Sequence, residues 1–291
     1  MKKSQTVTKA MEAVSAAKMR KSQQTALRGR AYARAAAATL SRVAGSRELS
    51  NHPLAAVREV TRALYIVITS DKGLAGALNS GVLRAAARDI KESGLPANKV
   101  SVIAVGRKAN DFFSARGFAV EVFHQNNAEL TNDTVRALVD EAAARFTAGS
   151  FDLVKIVYQH FVSTFEQHPT LRTVFPLSVK DLQKVVADII PAKGAFVEGS
   201  RTSFTSISSS AYTVEPSEGE VLNAVLPLLA SVIVYHALLE SQASEHSARM
   251  VAMKSASDKA GEMQDGLTLQ FNKARQAAIT REVSEIISGT L

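Results

Sequence analysis

The chain has 291 residues and contains no cysteine. This absence excludes disulfides, thiolate metal sites and cysteine nucleophiles, and it suits a reducing compartment. The N-terminus shows no apolar stretch of signal-peptide length, and the most apolar run, residues 221–239, is interrupted by polar residues and a proline. With 46% apolar residues the chain can form a core, so we expect a globular protein without an evident membrane span or export signal.

Proline is absent from both ends of the chain, because all seven prolines lie within residues 53–227. Apolar residues spaced by three and four predict an N-terminal helix over Ser4–Ala44 and a C-terminal helix that ends near Ile287. Their alanine-rich stripes favour an antiparallel coiled coil, with helices folded against the body of the protein as the alternative. We expect Pro227 either to kink the C-terminal helix or to lie near its start, at about Leu226.

Between these helices, short apolar runs alternate with turns and helical segments, which indicates a mainly parallel sheet with crossover helices. The Ser- and Thr-rich segment 198–213 is predicted to be a loop or a loosely ordered edge. The fold class is therefore α/β, with a central Rossmann-like domain at residues 51–215 between coiled-coil helices at 1–50 and 216–291. The predicted strands lie at 63–69, 100–105, 118–123, 153–158 and 171–176, and the predicted central helices at 77–93, 107–113 and 131–148.

Acidic residues are almost absent from the first segment of the chain. Residues 1–34 contain nine lysines and arginines against Glu12 alone, whereas the remainder has 26 basic and 26 acidic residues. The net charge of +8 therefore belongs to the N-terminal helix. Such a helix is suited to nucleic acid, to an acidic protein surface or simply to solvent, but Tyr32 is its only aromatic residue for base stacking. Composition leaves these three alternatives open.

The turn Ser70–Asn79 stands between a predicted strand and a predicted helix, the usual position of a phosphate-binding loop. It lacks the Gly-Lys-Ser/Thr ending of a Walker loop and the third glycine of a dinucleotide loop, so a structural tight turn is favoured. An enzyme that uses this turn to bind a nucleotide is a second hypothesis. The six histidines lack the spacing of a helical zinc site, and no nucleophile elbow or carboxylate pair stands out. We therefore predict no catalytic, cofactor or metal site.

Three motifs, in order along the chain, resemble those of ATP synthase gamma subunits. The first is Val7–Lys21 (VTKAMEAVSAAKMRK), and the second is the turn Ser70–Leu74 (SDKGL). The third comprises the C-terminal segments Ser244–Lys254 and Phe271–Gly289, the latter ending in ITREVSEIISG. Members of that family usually begin further upstream, so the resemblance also implies that part of the first helix precedes this sequence.

The resemblance implies a non-catalytic rotor shaft, without cofactors or a nucleotide site of its own, in a proton-translocating F-type ATP synthase. Such a shaft couples rotation of a membrane ring to conformational changes at the catalytic beta subunits, and it regulates ATPase activity and ion flow. The implied partners are the alpha/beta hexamer, the epsilon subunit and the c-ring, on the cytoplasmic face of a bacterial plasma membrane. The implied hexamer contacts are Lys9, Met11, Lys18, Arg249, Arg275, Gln276, Thr280 and Glu282, and the implied ring contact is Glu215.

Overall fold

The computed structural model describes residues 2–43, 47–126, 131–178, 215 and 217–289, without the side chains of residues 26–47 and 50. The predicted loop at 198–213 lies outside the described residues. The helices are α1 (Lys2–Val43), α2 (Arg47–Asn51), α3 (Leu78–Glu92), α4 (Arg107–Ser114), α5 (Asn132–Thr147) and α6 (Glu218–Gly289). The strands are β1 (Ala63–Ile68), β2 (Val100–Val105), β3 (Ala119–His124), β4 (Leu153–Phe161) and β5 (Gln167–Phe175).

Five strands form one sheet in the order β3-β2-β1-β4-β5. All neighbouring pairs are parallel except β4 and β5, which form an antiparallel hairpin. The predicted mainly parallel sheet with crossover helices is therefore confirmed. The hairpin strands are longer than predicted, because the polar residues on either side of the turn Val162–Glu166 continue the ladder through backbone hydrogen bonds.

The sheet is covered by helices on both faces. The central strand β1 is buried along its whole length, as its unbroken apolar run requires in a parallel sheet. Leu64 and Ile66 belong to the core shared with α5 and the first half of α6, whereas Tyr65 and Val67 belong to the core shared with α3 and α4. The alternating side chains of one strand thus join two apolar layers.

The long helix α6 begins at Glu218, before the start near Leu226 that was one of our two alternatives. Ser217 caps its first turn, because the Ser217 Oγ accepts a hydrogen bond from the Glu220 N–H at 3.3 Å. The helix then continues through Pro227, so a start near Leu226 is wrong. Leu222 and Leu226 are buried in the core, and this packing stabilises the helical turn that the proline weakens.

The first half of α6 is apolar enough to be mistaken for a membrane span. Within the described part of the chain it is the only helix that contains a window of sufficient length and hydropathy, and half of that window is buried. Leu229 and Ile233 contribute to the same core as the sheet residues. The hydropathy of this segment is therefore explained by a core helix.

Gly106 joins β2 to α4 with a φ of +95°, and an added Cβ would lie 2.1 Å from the carbonyl oxygen of Thr69. We expect Gly106→Ala to lower the free energy of unfolding by about 2–4 kcal/mol, since left-handed strain and a displaced backbone act together. Gly117→Ala is the matched control, because Gly117 has a φ of +76° with nothing within 4 Å of the added carbon. Urea unfolding should show a loss of only about 1–2 kcal/mol for that control, and equal losses would contradict the steric argument.

Candidate functional site

The terminal helices α1 and α6 pack along each other in opposite directions. The Gln5 Nε2 lies 3.0 Å from the position that a Cβ on Gly261 would occupy. Further along α1, Lys18 is close enough to Glu245 for its charge to act on that carboxylate. Rising residue numbers in α1 therefore face falling numbers in α6, and the predicted antiparallel pair is confirmed.

The helix α6 continues beyond the start of α1. Since Gln5 lies beside Gly261, the last part of α6, from about residue 266 to Gly289, has no α1 residue beside it within the described chain. At 1.5 Å per residue this extension is about 36 Å long. Nearly all of its side chains are exposed. Among the described residues, none of α1 covers this part of α6.

Large apolar side chains wind along this last part of α6, and we call them the apolar stripe. Their exposed fractions lie between 47% and 65%. Steps of four residues recur in the set, and each such step advances by about 40° around the helix, so the set winds around α6 as it runs along it. Apolar residues exposed singly are common, but a contiguous exposed set marks an interaction surface. The stripe consists of Met263, just before the extension, and of Leu267, Leu269, Phe271, Ile279, Val283, Ile286 and Ile287.

The extension also carries four of the polar residues singled out in the sequence, Arg275, Gln276, Thr280 and Glu282, and all four are exposed. Arg275 interrupts the apolar stripe, because it lies four residues after Phe271 and four before Ile279. These side chains are therefore available to a partner that covers the stripe.

The remaining predicted contacts are spread along the molecule. Lys9 and Lys18 are exposed on α1, and Met11 is half-buried there. Glu215 is exposed just before the start of α6, at the opposite end of that helix from the extension. Because α6 is about 108 Å long at 1.5 Å per residue, Glu215 and the extension cannot contact the same small surface.

Arg249, the last of the predicted contacts, is 8% exposed and bonded within the chain. Its Nη1 lies 2.8 Å from the Glu245 Oε1. Its Nε and Nη2 donate to the carbonyl oxygens of Lys72 and Gly73 at 3.3–3.4 Å. A phosphate loop presents N–H groups to an anion, whereas this turn presents carbonyl oxygens to a cation. The geometry matches a structural turn that fixes α6 to the sheet. We call the contacts of Arg249 with Glu245, Lys72 and Gly73 the Arg249 junction.

Burial shifts the pKa values of two titratable residues at the Arg249 junction, Glu245 and His246. Burial raises the pKa of Glu245, against the opposing charges of Arg249 and Lys18. Burial also lowers the pKa of His246 to about 4, assisted by the positive charges of the same two residues. His246 is therefore neutral at pH 7, and Arg249 provides the ionic partner of Glu245.

The carboxyl edge of the parallel strands, where doubly wound folds bind their ligands, is occupied by α6. Gln242 donates to the Asn126 Oδ1 at 3.0 Å, and Asn126 in turn donates to the carbonyl oxygen of Thr69 at 2.8 Å. The Ser244 Oγ donates to the carbonyl oxygen of Gln159 at 3.1 Å. Sequence reasoning missed Gln242 and Asn126 and quoted Ser244 only as the first residue of a motif, since such polar residues resemble ordinary solvent-facing positions.

A second buried carboxylate links α6 to the hairpin of β4 and β5. The Glu240 side chain is 9% exposed, and its two oxygens lie 3.0 Å from the His160 Nδ1 and 3.5 Å from the His236 Nδ1. Burial acts to raise the pKa of Glu240, but the hydrogen bond with His160 and the charges of His236 and Arg172 outweigh it and lower the pKa. Among the described residues no cluster of His, Asp and Glu has the arrangement of a metal site.

The lowered pKa of Glu240 has a consequence for acid stability. Its ionised form stabilises the fold fully above its unfolded pKa of 4.5, and this stabilisation is lost as the pH falls through the lower folded value. We expect Glu240→Gln to cost about 1–3 kcal/mol at pH 7 and to flatten the pH dependence of stability below pH 4.5. Urea unfolding between pH 3 and 7 measures both effects. The exposed Glu285→Gln is the control, and an equal acid response in both variants would contradict the assignment.

The comparisons with known proteins cover the whole chain. A family model described as ATP synthase matches residues 1–291. The ATP synthase gamma chain of Pelotomaculum thermopropionicum is 40% identical over 290 residues, which cover 99% of this chain and 94% of that relative. The ATP synthase gamma chain of Staphylococcus saprophyticus is 36% identical over 294 residues, with 100% and 94% covered.

Solved structures share the fold. A chain in the central stalk and c-ring structure of the Tetrahymena thermophila mitochondrial ATP synthase has a TM-score of 0.59 at 24% identity, covering 86% of this chain and 99% of that one. A chain of the Euglena gracilis mitochondrial ATP synthase, in rotational state 3, has a TM-score of 0.62 at 19% identity, covering 99% and 89%. The similarity in sequence extends over nearly the full length of the bacterial relatives, and the chain therefore belongs to the ATP synthase gamma-subunit family.

Proposed function

We propose that the chain is the central rotor shaft of a proton-translocating F-type ATP synthase and couples rotation of the membrane ring to conformational changes at the catalytic beta subunits. The observation that carries this proposal is the long antiparallel pair of α1 and α6, in which the last part of α6 carries a set of exposed apolar side chains within the described chain. The extension enters the central cavity of the alpha/beta hexamer, which covers the stripe.

An apolar stripe is suited to a moving contact. The hydrophobic effect has no preferred direction, so a helix can turn against an apolar sleeve without breaking a fixed set of hydrogen bonds. The polar residues Arg275, Gln276, Thr280 and Glu282 then provide the few contacts that differ between angular positions. Such differences are required, because a shaft can bias a beta subunit only through contacts that favour one of its conformations.

The basic helix α1 supplies the electrostatic part of the same contact. Residues 1–34 contain nine basic residues and one acidic residue, and the side chains of Lys9 and Lys18 are exposed. An acidic surface on beta would be attracted to this helix from every angular position. Met11, half-buried beside these lysines, provides an apolar contact for the same surface.

The α/β body is the part on which the ring and the epsilon subunit act, with Glu215 as the ring contact. Torque on the body reaches the shaft because the Arg249 junction and the buried half of α6 join the two rigidly. Since α6 fills the carboxyl edge of the sheet, the catalytic nucleotide sites belong to the partners. The subunit thus lies on the cytoplasmic face of the plasma membrane, attached through the ring, and regulates ATPase activity and ion flow.

Rotation can be tested directly, because the natural chain has no cysteine that would compete for a thiol label. Asn98→Cys places a single thiol at an exposed position before β2, on the edge of the sheet opposite to the Arg249 junction. The labelled chain is assembled with alpha and beta subunits on a surface, and a bead is attached to the thiol. ATP should then drive stepwise rotation of the bead in one direction.

Two controls complete this experiment. The labelled chain alone should hydrolyse no ATP, and the hexamer without it should show no directed rotation. An assembly that contains the chain and hydrolyses ATP while the bead stays fixed would overturn the rotor assignment.

A further inference from the structure

Side-chain hydrogen bonds attach the β4–β5 hairpin to α6. The Oγ atoms of Ser244 and Ser247 donate to carbonyl oxygens of the hairpin at 3.1 and 2.6 Å. A further contact joins the Glu240 Oε2 of α6 to the His160 Nδ1 of β4 at 3.0 Å. Of these contacts, only the last contains a group that ordinarily changes its charge between pH 5 and 8. The attachment of the hairpin can therefore depend on pH at this position.

Glu240 lies between two imidazole groups, and His160 is better placed than His236 to carry a positive charge. The Nδ1 of His160 is 3.0 Å from the carboxylate, whereas that of His236 is 3.5 Å away. The His160 side chain is 24% exposed and that of His236 11%, so charging His160 costs less desolvation. Against the effect of burial, the hydrogen bond with His160 and the neighbouring positive charges hold the pKa of Glu240 below 4.5. Glu240 is therefore ionised between pH 5 and 8.

The other charged groups near this pair limit how many protons the site binds. Arg172 of β5 acts on the carboxylate as a positive charge. His168 lies opposite His160 in the β4–β5 ladder, but its side chain is exposed and bonded to Glu166. A second imidazolium, on His236, would place three positive charges around one carboxylate in a buried site. The site therefore binds one proton strongly and a second one weakly.

We propose that Glu240 and His160 form a pH-sensitive clasp, in which a proton on His160 tightens the attachment of the β4–β5 hairpin to α6. The protonated imidazole makes a charged hydrogen bond, whereas the neutral imidazole is only a neutral donor. The ionised carboxylate favours the protonated form. The added stability is therefore complete below the ordinary pKa of histidine, about 6.5, and is lost as the pH rises further. On the acid side it is lost below pH 4.5, when Glu240 is protonated.

A second pair of the same chemistry on the hairpin shows why burial matters. The His168 Nε2 lies 2.9 Å from the Glu166 Oε1, but these side chains are 59% and 58% exposed. An exposed ion pair contributes little, because water and salt screen its charges. The clasp has nearly the same distance, with its carboxylate only 9% exposed. The exposed pair is therefore a matched control for the clasp.

The experiment is urea unfolding of the purified full chain at pH 5.5 and pH 8.5. His160→Gln retains an N–H donor but cannot carry a charge. The measured quantity is the unfolding equilibrium constant of the variant divided by that of the natural chain. For His160→Gln this ratio should be about three- to tenfold larger at pH 5.5 than at pH 8.5, the difference between a charged and a neutral hydrogen bond. For His168→Gln it should differ by less than about twofold between the two pH values.

A second comparison identifies the partner of His160. In the Glu240→Gln background, His160→Gln should have the same effect at both pH values, because no carboxylate remains to pair with the imidazolium. A ratio for His160→Gln that is equal at the two pH values, or larger at pH 8.5, would overturn the proposal, and so would a pH dependence that persists in the Glu240→Gln background. Should that background not fold, the comparison of His160→Gln with His168→Gln decides. These measurements use the chain alone, so their failure leaves the rotor assignment unaffected.

Discussion

Phe271→Asp is expected to weaken binding of the chain to the alpha/beta hexamer by about 30- to 700-fold, which corresponds to 2–4 kcal/mol at a buried aromatic anchor. Phe271 is 65% exposed in the free chain, so the substitution removes little packing there. In the assembly it would place a carboxylate within an apolar contact, where neither water nor a cation compensates the charge. Titration of immobilised hexamer with the labelled chain measures the affinity.

Gln270→Asp provides the matched control for this experiment. Gln270 is exposed on the same extension but lies one residue away, on a different side of the helix. The affinity of the Gln270→Asp variant for the hexamer should differ from that of the natural chain by less than about threefold. Both variants should unfold in urea like the natural chain. Equal binding of the Phe271 and Gln270 variants would show that the apolar stripe is not the surface covered by the hexamer.

Arg249→Ala is expected to lower the free energy of unfolding of the chain by about 3–5 kcal/mol, because it leaves the buried carboxylate of Glu245 without a partner. The side chains of Arg249 and Glu245 are each about 10% exposed. The variant also removes the donors that the carbonyl oxygens of Lys72 and Gly73 accept. Urea unfolding monitored by circular dichroism measures the loss.

Two further variants separate the buried pair from a general effect of lost charge. The double variant Glu245→Gln and Arg249→Met should recover a large part of the lost stability, since no buried charge remains unpaired. Arg275→Ala, an exposed arginine on the same helix, should change stability by less than about 0.5 kcal/mol. If Arg249→Ala were as stable as Arg275→Ala, the junction would not hold the shaft to the body.

The elements of the fold were largely readable from local pattern. Proline-free ends with apolar spacings of three and four predicted α1 and the end of α6, and unbroken apolar runs predicted β1 and β2. The hairpin of β4 and β5 was predicted too short. Its outer residues, such as His160 and His168, pair through backbone groups, which leave no trace in side-chain hydropathy.

Pro227 shows the limit of propensity as a guide. A proline inside a helix costs about 3 kcal/mol, which made a helix start near Leu226 a reasonable alternative. In the structure Leu222 and Leu226 are buried against the sheet, and Ser217 caps the first turn. Tertiary packing and the cap therefore compensate for the proline, and neither could be evaluated before the sheet was known.

The sequence by itself determined the long terminal helices, the basic character of α1, the order of strands and helices, and the three motifs of the gamma-subunit family. These features depend on composition or on residues close together in the chain. Only the tertiary structure decided the register of α1 and α6, in which Gln5 lies beside Gly261. It also decided that Arg249 pairs with a turn 176 residues away and that α6 fills the carboxyl edge of the sheet. Such contacts depend on the register and approach of distant elements, which no local pattern of residues encodes.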